Sequence, residues 1–345
     1  MPSGGEGDDG KDRWSGMRVA VIGCGGAGRE HLRAYLGLGA AVEVVGVCDI
    51  LAQRAQAAAE TAGVSAYTDV TTLLRAARPE VVSVCTQEAD HVEPSLAALA
   101  AGCHVLCEKP LAARVADAER LVEAAQPHGR TLGVDYNYRH MPPLRALRAR
   151  IASGGLGDVV TAQISAHAFC YHHAMDLVRF LFGDVVEVAA WVADDPAHRR
   201  FPRPQEFIYI PSGSVGALLR TEGGATVSLT ASRQRSLEDT LLDVEVVGTT
   251  GRAALRGMPV RDVRPRAVEL FPPDPAAEAD FSPRSADTPA FGLGDAFAAS
   301  IAAFVAAITA GTRPPTDGHD GLAVLRIDQA VSQAHRIGGT VRLWK

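Results

Sequence analysis

Hydrophobic positions along this chain follow two successive patterns, and each implies a different kind of sheet. From Met17 onward, short and nearly continuous apolar runs alternate with stretches of helical period. Residues 18–23 (RVAVIG), 42–49 (VEVVGVCD), 81–86 (VVSVCT), 105–107 (VLC) and 131–134 (TLGV) read as buried strands, with helices over 28–38 and 51–62. Strands apolar on both sides and separated by helices belong to a parallel sheet covered on both faces. The pattern changes after Arg139. Pro142 and Pro143 open a helix that stops at Gly154-Gly155. Alternating runs follow at 159–166, 185–192, 214–221, 225–231, 241–247 and 252–255. Glu222-Gly223-Gly224 and Gly248-Thr249-Thr250-Gly251 read as hairpin turns, so this sheet is expected to be mostly antiparallel. Pro259, Pro265, Pro272, Pro273 and Pro275 mark 257–291 as an irregular surface stretch, and helices over 296–310 and 318–337 follow it.

Composition narrows the choice of partners. A hydrophobic share of 47% and a charged share of 21% are globular values, and 345 residues suffice for two domains. The net charge of -6 provides no basic field, which excludes nucleic acid and an anionic membrane surface as expected partners. No run reaches the ~18 uncharged apolar residues of a membrane span. The six cysteines contain no CxxC pair and read as reduced thiols of a cytoplasmic protein. Cys103, His104 and Cys107 lie on one strand whose alternate residues face opposite ways, so no metal site is expected there. Residues 1–16, acidic and Gly-rich, are expected to form a disordered tail.

The sharpest local signal is Gly23-Cys24-Gly25-Gly26-Ala27-Gly28, set between a strand and a helix. Gly23 makes the tight turn, Gly25 and its neighbours Gly26 and Ala27 let a pyrophosphate approach, and Gly28 permits close helix–strand packing. The helix N-terminus then offers N–H groups and a positive dipole end to the phosphates. Asp49 ends the next strand, 21 residues beyond Gly28, where a carboxylate accepts hydrogen bonds from the adenosine ribose and repels a 2′-phosphate. The first domain, 17–139, is therefore expected to be a Rossmann domain that binds NAD in preference to NADP. The second, 140–345, is expected to be α+β and to bind substrate and other subunits.

Further along come Cys107-Glu108-Lys109-Pro110, Thr86 with His91, and Asn137-Tyr138-Arg139. Together with the glycine turn, Asp49, Tyr67-Thr68-Asp69 and Gly154-Gly155-Leu156-Gly157, they resemble the glucose-fructose oxidoreductase / inositol dehydrogenase / MocA family in order and spacing. That resemblance implies hydride transfer between a nicotinamide and a hydroxyl or carbonyl carbon of a sugar, cyclitol or related small molecule. It also implies a homodimer or homotetramer assembled through the second sheet. Glu108 and Lys109 match the family's EKP motif, which places the lysine beside nicotinamide and substrate oxygen. Thr86, His91 and Glu108 fall with the cofactor-binding positions. The stretch Phe169-Cys170-Tyr171-His172-His173-Ala174-Met175-Asp176 matches the family's D-x-x-x-H-x-x-D element. His173 is the expected general acid/base, with Tyr138, Arg139, His172 and Asp176 as substrate contacts. Two departures stand out: Phe169 fills the usually acidic slot, and the loop between the Gly154-to-Gly157 turn and this helix is short and lacks a substrate-contacting segment common in the family; of less weight, Thr86-Gln87-Glu88 replaces Thr-Pro-Asn. Phe169 is also the ground for an alternative reading, a regulatory or scaffold protein that binds nucleotide without turnover.

Overall fold

The computed structural model of the chain describes residues 16–127, 129–194, 213–232, 241–258, 267–271, 284–287 and 291–343. The expected disordered tail lies outside them except for Gly16. Near-continuous Val-rich runs give the first sheet, in which β1 (Met17–Ile22), β2 (Val42–Cys48), β3 (Ala66–Tyr67), β4 (Val81–Val84), β5 (His104–Cys107) and β6 (Leu132–Val134) are all parallel. Their order is β3-β2-β1-β4-β5-β6, so the winding reverses between β1 and β4 and leaves a crevice at the strand ends. Helices α1 (Gly26–Gly37), α2 (Ala52–Ala62), α3 (Val70–Ala77), α4 (Val92–Ala100) and α5 (Val115–Ala125) connect the strands.

The second sheet has nine strands in the order β14-β13-β12-β11-β7-β10-β9-β8-β15. They are β7 (Val159–His167), β8 (Val185–Asp194), β9 (Gly213–Thr221), β10 (Thr226–Ser232), β11 (Leu242–Gly248), β12 (Arg252–Met258), β13 (Ala267–Phe271), β14 (Arg284–Asp287) and β15 (Thr340–Arg342). All neighbours are antiparallel except β10 and β7, which run parallel. Helices α6 (Pro142–Ala152) and α7 (Tyr171–Phe182) accompany it. The stretch expected to be irregular is corrected here, because it carries β13 and β14. In the sequence Pro265 precedes the β13 residues and Pro272 follows them, and proline punctuates strand ends as well as loops. The same prolines read as loop in the sequence.

Two more helices, α8 (Leu293–Ala310) and α9 (Gly318–Ile337), return to the first sheet. By length and composition α8 is long and apolar enough to cross a membrane, although Asp295 keeps its uncharged run short of ~18 residues. In the structure α8 packs on α1, and Ile301, Phe304 and Val305 join Val19, Val21 and Leu106 in one apolar cluster. Gly133 in β6 leaves the hollow that Phe304 fills, since a Cβ there would lie 2.5 Å from the ring. Helix α9 packs on α5, β6 and β8. The two halves thus share core.

A buried ionic bridge ties them further. Arg139, in the 3-10 turn Asn137–His140 after β6, donates from Nε and one terminal nitrogen to both oxygens of Asp176 on α7, at 2.8 and 2.6 Å. Asp320 on α9 accepts from Arg179 at 2.7 Å and lies 3.5 Å from Arg139. Burial would raise the Asp320 carboxyl, but Arg139 and Arg179 outweigh it and hold the pKa low. The same carboxylate accepts the Asp317 N–H at 3.1 Å and so closes the capping box of α9. Asp320→Asn is expected to lower stability by about 3–5 kcal/mol, the range for breaking a buried pair. A depressed carboxylate pKa stabilises above its unfolded value and loses that contribution as pH falls below about 4. Urea unfolding at several pH values checks this: the deficit of the variant should shrink in acid, and a constant deficit would contradict the ionic origin.

Candidate active site

Glu108 and Lys109 follow β5 directly, at the C-terminal edge of the parallel sheet beside the crevice. Lys109 is only 4% exposed, and its ammonium lies 4.7 Å from the centroid of the Phe169 ring. The slot that lacks a carboxylate therefore presents an aromatic face, which attracts a cation through the ring quadrupole. Burial pulls the lysine pKa below its usual value, against opposing pulls from Glu108, Cys170, Glu88 and Asp135.

His173 lies in the first turn of α7, buried, with its ring stacked on Tyr138 at 3.9 Å and 3° between planes. Tyr136 meets the same imidazole edge-on at 6.0 Å. Burial, then the charge of Lys109 and neighbouring His172, hold the His173 pKa well below the ordinary imidazole value. The ring is thus neutral at neutral pH. Its Nδ1 is buried without a hydrogen-bond partner, an unfilled valence inside the site.

The phosphate-binding turn divides into two kinds of glycine. Gly23 has φ +89°, and a Cβ there would lie 2.5 Å from the Cys85 carbonyl oxygen. At Gly28 a Cβ would lie 1.8 Å from the Gly23 oxygen. Both are required by the protein's own packing. Gly25 and Gly26 face open space, so nothing among the described residues explains their bareness. Ala27 follows them in the first turn of α1. Asp49 accepts the Cys24 N–H at 2.8 Å and the Leu51 N–H at 2.9 Å, which fixes its carboxylate at the turn. Each oxygen keeps a lone pair for another donor.

Several side chains expected to touch ligand also bond within the protein. Arg139 and Asp176 are joined to each other, as described above. Tyr138 spends its hydroxyl on Cys170 Sγ at 3.2 Å and its ring face on His173. His172 turns to Asp328 on α9, 3.4 Å away, and the adjacent Tyr171 hydroxyl donates to the same carboxylate at 3.0 Å. His91 donates from Nδ1 to the Pro110 carbonyl at 2.8 Å, with Nε2 3.2 Å from the Thr86 carbonyl, and so braces the loops around β4 and β5. Thr86 Oγ1 donates to the Asp90 carbonyl at 3.1 Å. Glu108 faces His31 and accepts the Lys109 N–H at 3.0 Å. Cys103, His104 and Cys107 do not converge, since each bonds a different backbone group, at Pro79, Thr131 and Leu111.

Sequence reasoning missed His31, Ser83, Asp135 and Asp328. A single cue marks His31: it stands on the same helical face as Gly28 and Tyr35, which points into the sheet.

Comparison with known proteins agrees with this arrangement. The family model described as "Oxidoreductase family, NAD-binding Rossmann fold" matches residues 17–136, and the GFO/IDH/MocA C-terminal domain matches residues 168–254. D-glucoside 3-dehydrogenase of Escherichia coli (strain K12) is 36% identical over 157 residues, 45% of each chain. Inositol 2-dehydrogenase of Salmonella typhimurium (strain LT2) is 37% identical over 41% of this chain and 43% of its own. Both matches span less than half of the relative. D-apiose dehydrogenase of Paraburkholderia graminis is 29% identical over 95% of this chain and 90% of its own. A structure of levoglucosan dehydrogenase in complex with NADH superposes with a TM-score of 0.84 at 21% identity, covering 96% of this chain and 100% of that one. At that identity the superposition speaks for the fold alone. With both halves matched in order, and with the glycine turn and the Glu108-Lys109-Pro110 segment at the sheet edge, the chain belongs to the GFO/IDH/MocA oxidoreductase family.

Proposed function

We propose that this protein is an NAD-dependent dehydrogenase or reductase acting on a carbinol or carbonyl carbon of a sugar-like small molecule. The observation that carries the reading is the burial of an ammonium, Lys109, beside a neutral imidazole, His173, at the edge of a dinucleotide-binding sheet. The relatives named above as glucoside, apiose and inositol dehydrogenases support the substrate class. Phe169 is the ground for the non-catalytic reading, yet its ring face against the ammonium gives it a use in the chemistry.

Residues of the turn fit the dinucleotide. Gly25 and Gly26 leave bare backbone where a pyrophosphate approaches, and Asp49 presents a carboxylate that favours a ribose diol over a 2′-phosphate. Ile50, 88% exposed beside Asp49, offers an apolar surface for adenine. The nicotinamide, when bound, supplies a hydride acceptor or donor. Lys109 then holds positive charge against the substrate oxygen, which stabilises the alkoxide character that develops as hydride leaves carbon. His173 takes the hydroxyl proton during oxidation and returns it during reduction. Tyr138 keeps the imidazole ring in plane, and Phe169 and burial keep water from the ammonium. Subunits associate through the open face of the second sheet, where Trp191 is 63% and Leu218 48% exposed on adjacent strands.

Oxidation needs neutral His173, so its rate falls as pH drops through a pKa below 6.5, the ordinary imidazole value. It also needs protonated Lys109, so the rate falls again as pH rises through a pKa below 10.5. NADH formation with D-glucosides, D-apiose and myo-inositol is the assay. Lys109→Met and His173→Asn should each cost about 100-fold or more in kcat, and His173→Asn should abolish the acid limb. Wild-type rates in Lys109→Met would refute the mechanism. Gly25→Ala should keep the melting temperature and weaken NADH binding about tenfold, one unit of 1.4 kcal/mol, whereas Gly28→Ala should lose stability. A fluorescence titration in which Gly25→Ala binds NADH normally would remove the turn from the cofactor seat. Trp191→Glu should shift the light-scattering mass toward the monomer, and an unchanged mass would place the subunit contact elsewhere.

A further inference from the structure

Behind Lys109, between α1 and the strand ends, lies a second polar cluster that hydride transfer does not itself use. Its centre is His31, fully buried on α1 three residues after Gly28. His31 Nε2 lies 3.2 Å from Glu108 Oε1 and 3.3 Å from Asp135 Oδ2. On the other side of the ring, Nδ1 lies 2.9 Å from Ser83 Oγ, which in turn lies 2.8 Å from the Tyr35 hydroxyl. Asp135 also accepts from Ser300 Oγ on α8 and from the Asn137 amide at 3.3 Å. Glu108 accepts the Lys109 backbone N–H at 3.0 Å.

Two carboxylates this deep in a protein repel each other and lack water. Nε2 faces only acceptors, so it carries a proton and donates it between them. We infer that His31 is a positioning residue for Lys109: its imidazolium holds Glu108 and Asp135 as a fixed pair of carboxylates behind the catalytic ammonium. The inference rests on the reading of Lys109 given above.

The groups facing His31 come from every neighbouring element. They are Ser83 from β4 and Cys85 just beyond it, Glu108 after β5, Asp135 after β6, and the Phe297 ring of α8 at 5.6 Å. Burial alone would lower the imidazole pKa, but Cys85, Asp135 and Glu108 outweigh it and the net direction is well upward. Burial pushes the Cys85 thiol up in turn, and His31 opposes that rise. Glu108 moves the opposite way, burial being outweighed by His31 and then Lys109. One cation thus sits against two anions, and the remaining anionic field falls on Lys109. Helix α1 carries His31 one turn below its N-terminus, so the element that seats the pyrophosphate also fixes the charge behind the lysine.

Replacing His31 by a neutral side chain leaves both carboxylates uncompensated and raises the Lys109 pKa. His31→Gln, verified as folded and as binding NADH, should lose about tenfold or more in kcat with KM for NAD within about threefold, the mark of lost transition-state stabilisation. Its alkaline limb should move to higher pH. An unchanged kcat and limb, in a background where Lys109→Met is inactive, would overturn the proposal. If Lys109→Met is fully active, the reading of Lys109 fails, and the charge state of His31 remains separately testable. Nitrogen-15 NMR of the wild-type holoprotein, which needs neither substrate nor variant, reads that state. Both His31 ring nitrogens should be protonated between pH 6 and 8, and a neutral tautomer would overturn the proposal even if His31→Gln fails to fold. Stoichiometric divalent metal retained by the purified protein would overturn it as well, because Nε2 would then be a ligand and not a donor.

Discussion

An ammonium taken out of water is the constraint on which this site depends. Lys109 is almost wholly enclosed, and an isolated charge in such a place costs several kcal/mol even after relaxation. The fold answers with the carboxylates of Glu108 and Asp135 on one side and the face of Phe169 on another. The same enclosure serves the chemistry, since a fixed charge in a dry site acts on a developing alkoxide without first reorganising solvent. Desolvation also separates the roles of the two titrating groups. It pulls the His173 pKa well below the ordinary imidazole value, while Glu108 and its neighbours oppose the same pull on Lys109, which suits the proposed division of labour between a proton acceptor and a charge stabiliser.

The groups proposed for the chemistry come from different halves of the chain: Lys109 from a strand end of the parallel sheet, His173, with Phe169 before it, from the segment leading into α7. A displacement of about 1 Å between such groups costs orders of magnitude in rate. The link from Arg139 to Asp176 and on to Asp320, together with the core shared across α1, β6 and α8, holds the halves in register. Tyr138, stacked on His173, and His172, facing Asp328, add to the same alignment.

What the sequence disclosed, and what it concealed, follows from the range of each interaction. The glycine turn, Asp49 and the two sheet types were legible because they depend on neighbours within a few residues or on periods of two and 3.6. The partner of His172 was not, since Asp328 stands 156 residues away. Arg139 and Asp176 looked like free polar groups for the same reason: either could bind a substrate until the fold brings them together across 37 residues. His31 carried only the cue of its helix face, and one histidine on an apolar face reads as core. Strands β13 and β14 were lost to the prolines that bound them, which punctuate strands and loops alike.

The return of α8 to the first sheet has a bearing on how the protein comes into being. Phe304 fills the hollow opposite Gly133 and completes the apolar layer that Val19 and Val21 begin. A nascent chain therefore has all six parallel strands translated long before the side chain that closes their interior leaves the ribosome. For much of synthesis the nucleotide half carries an unfinished apolar surface, the condition under which a growing polypeptide most needs a chaperone.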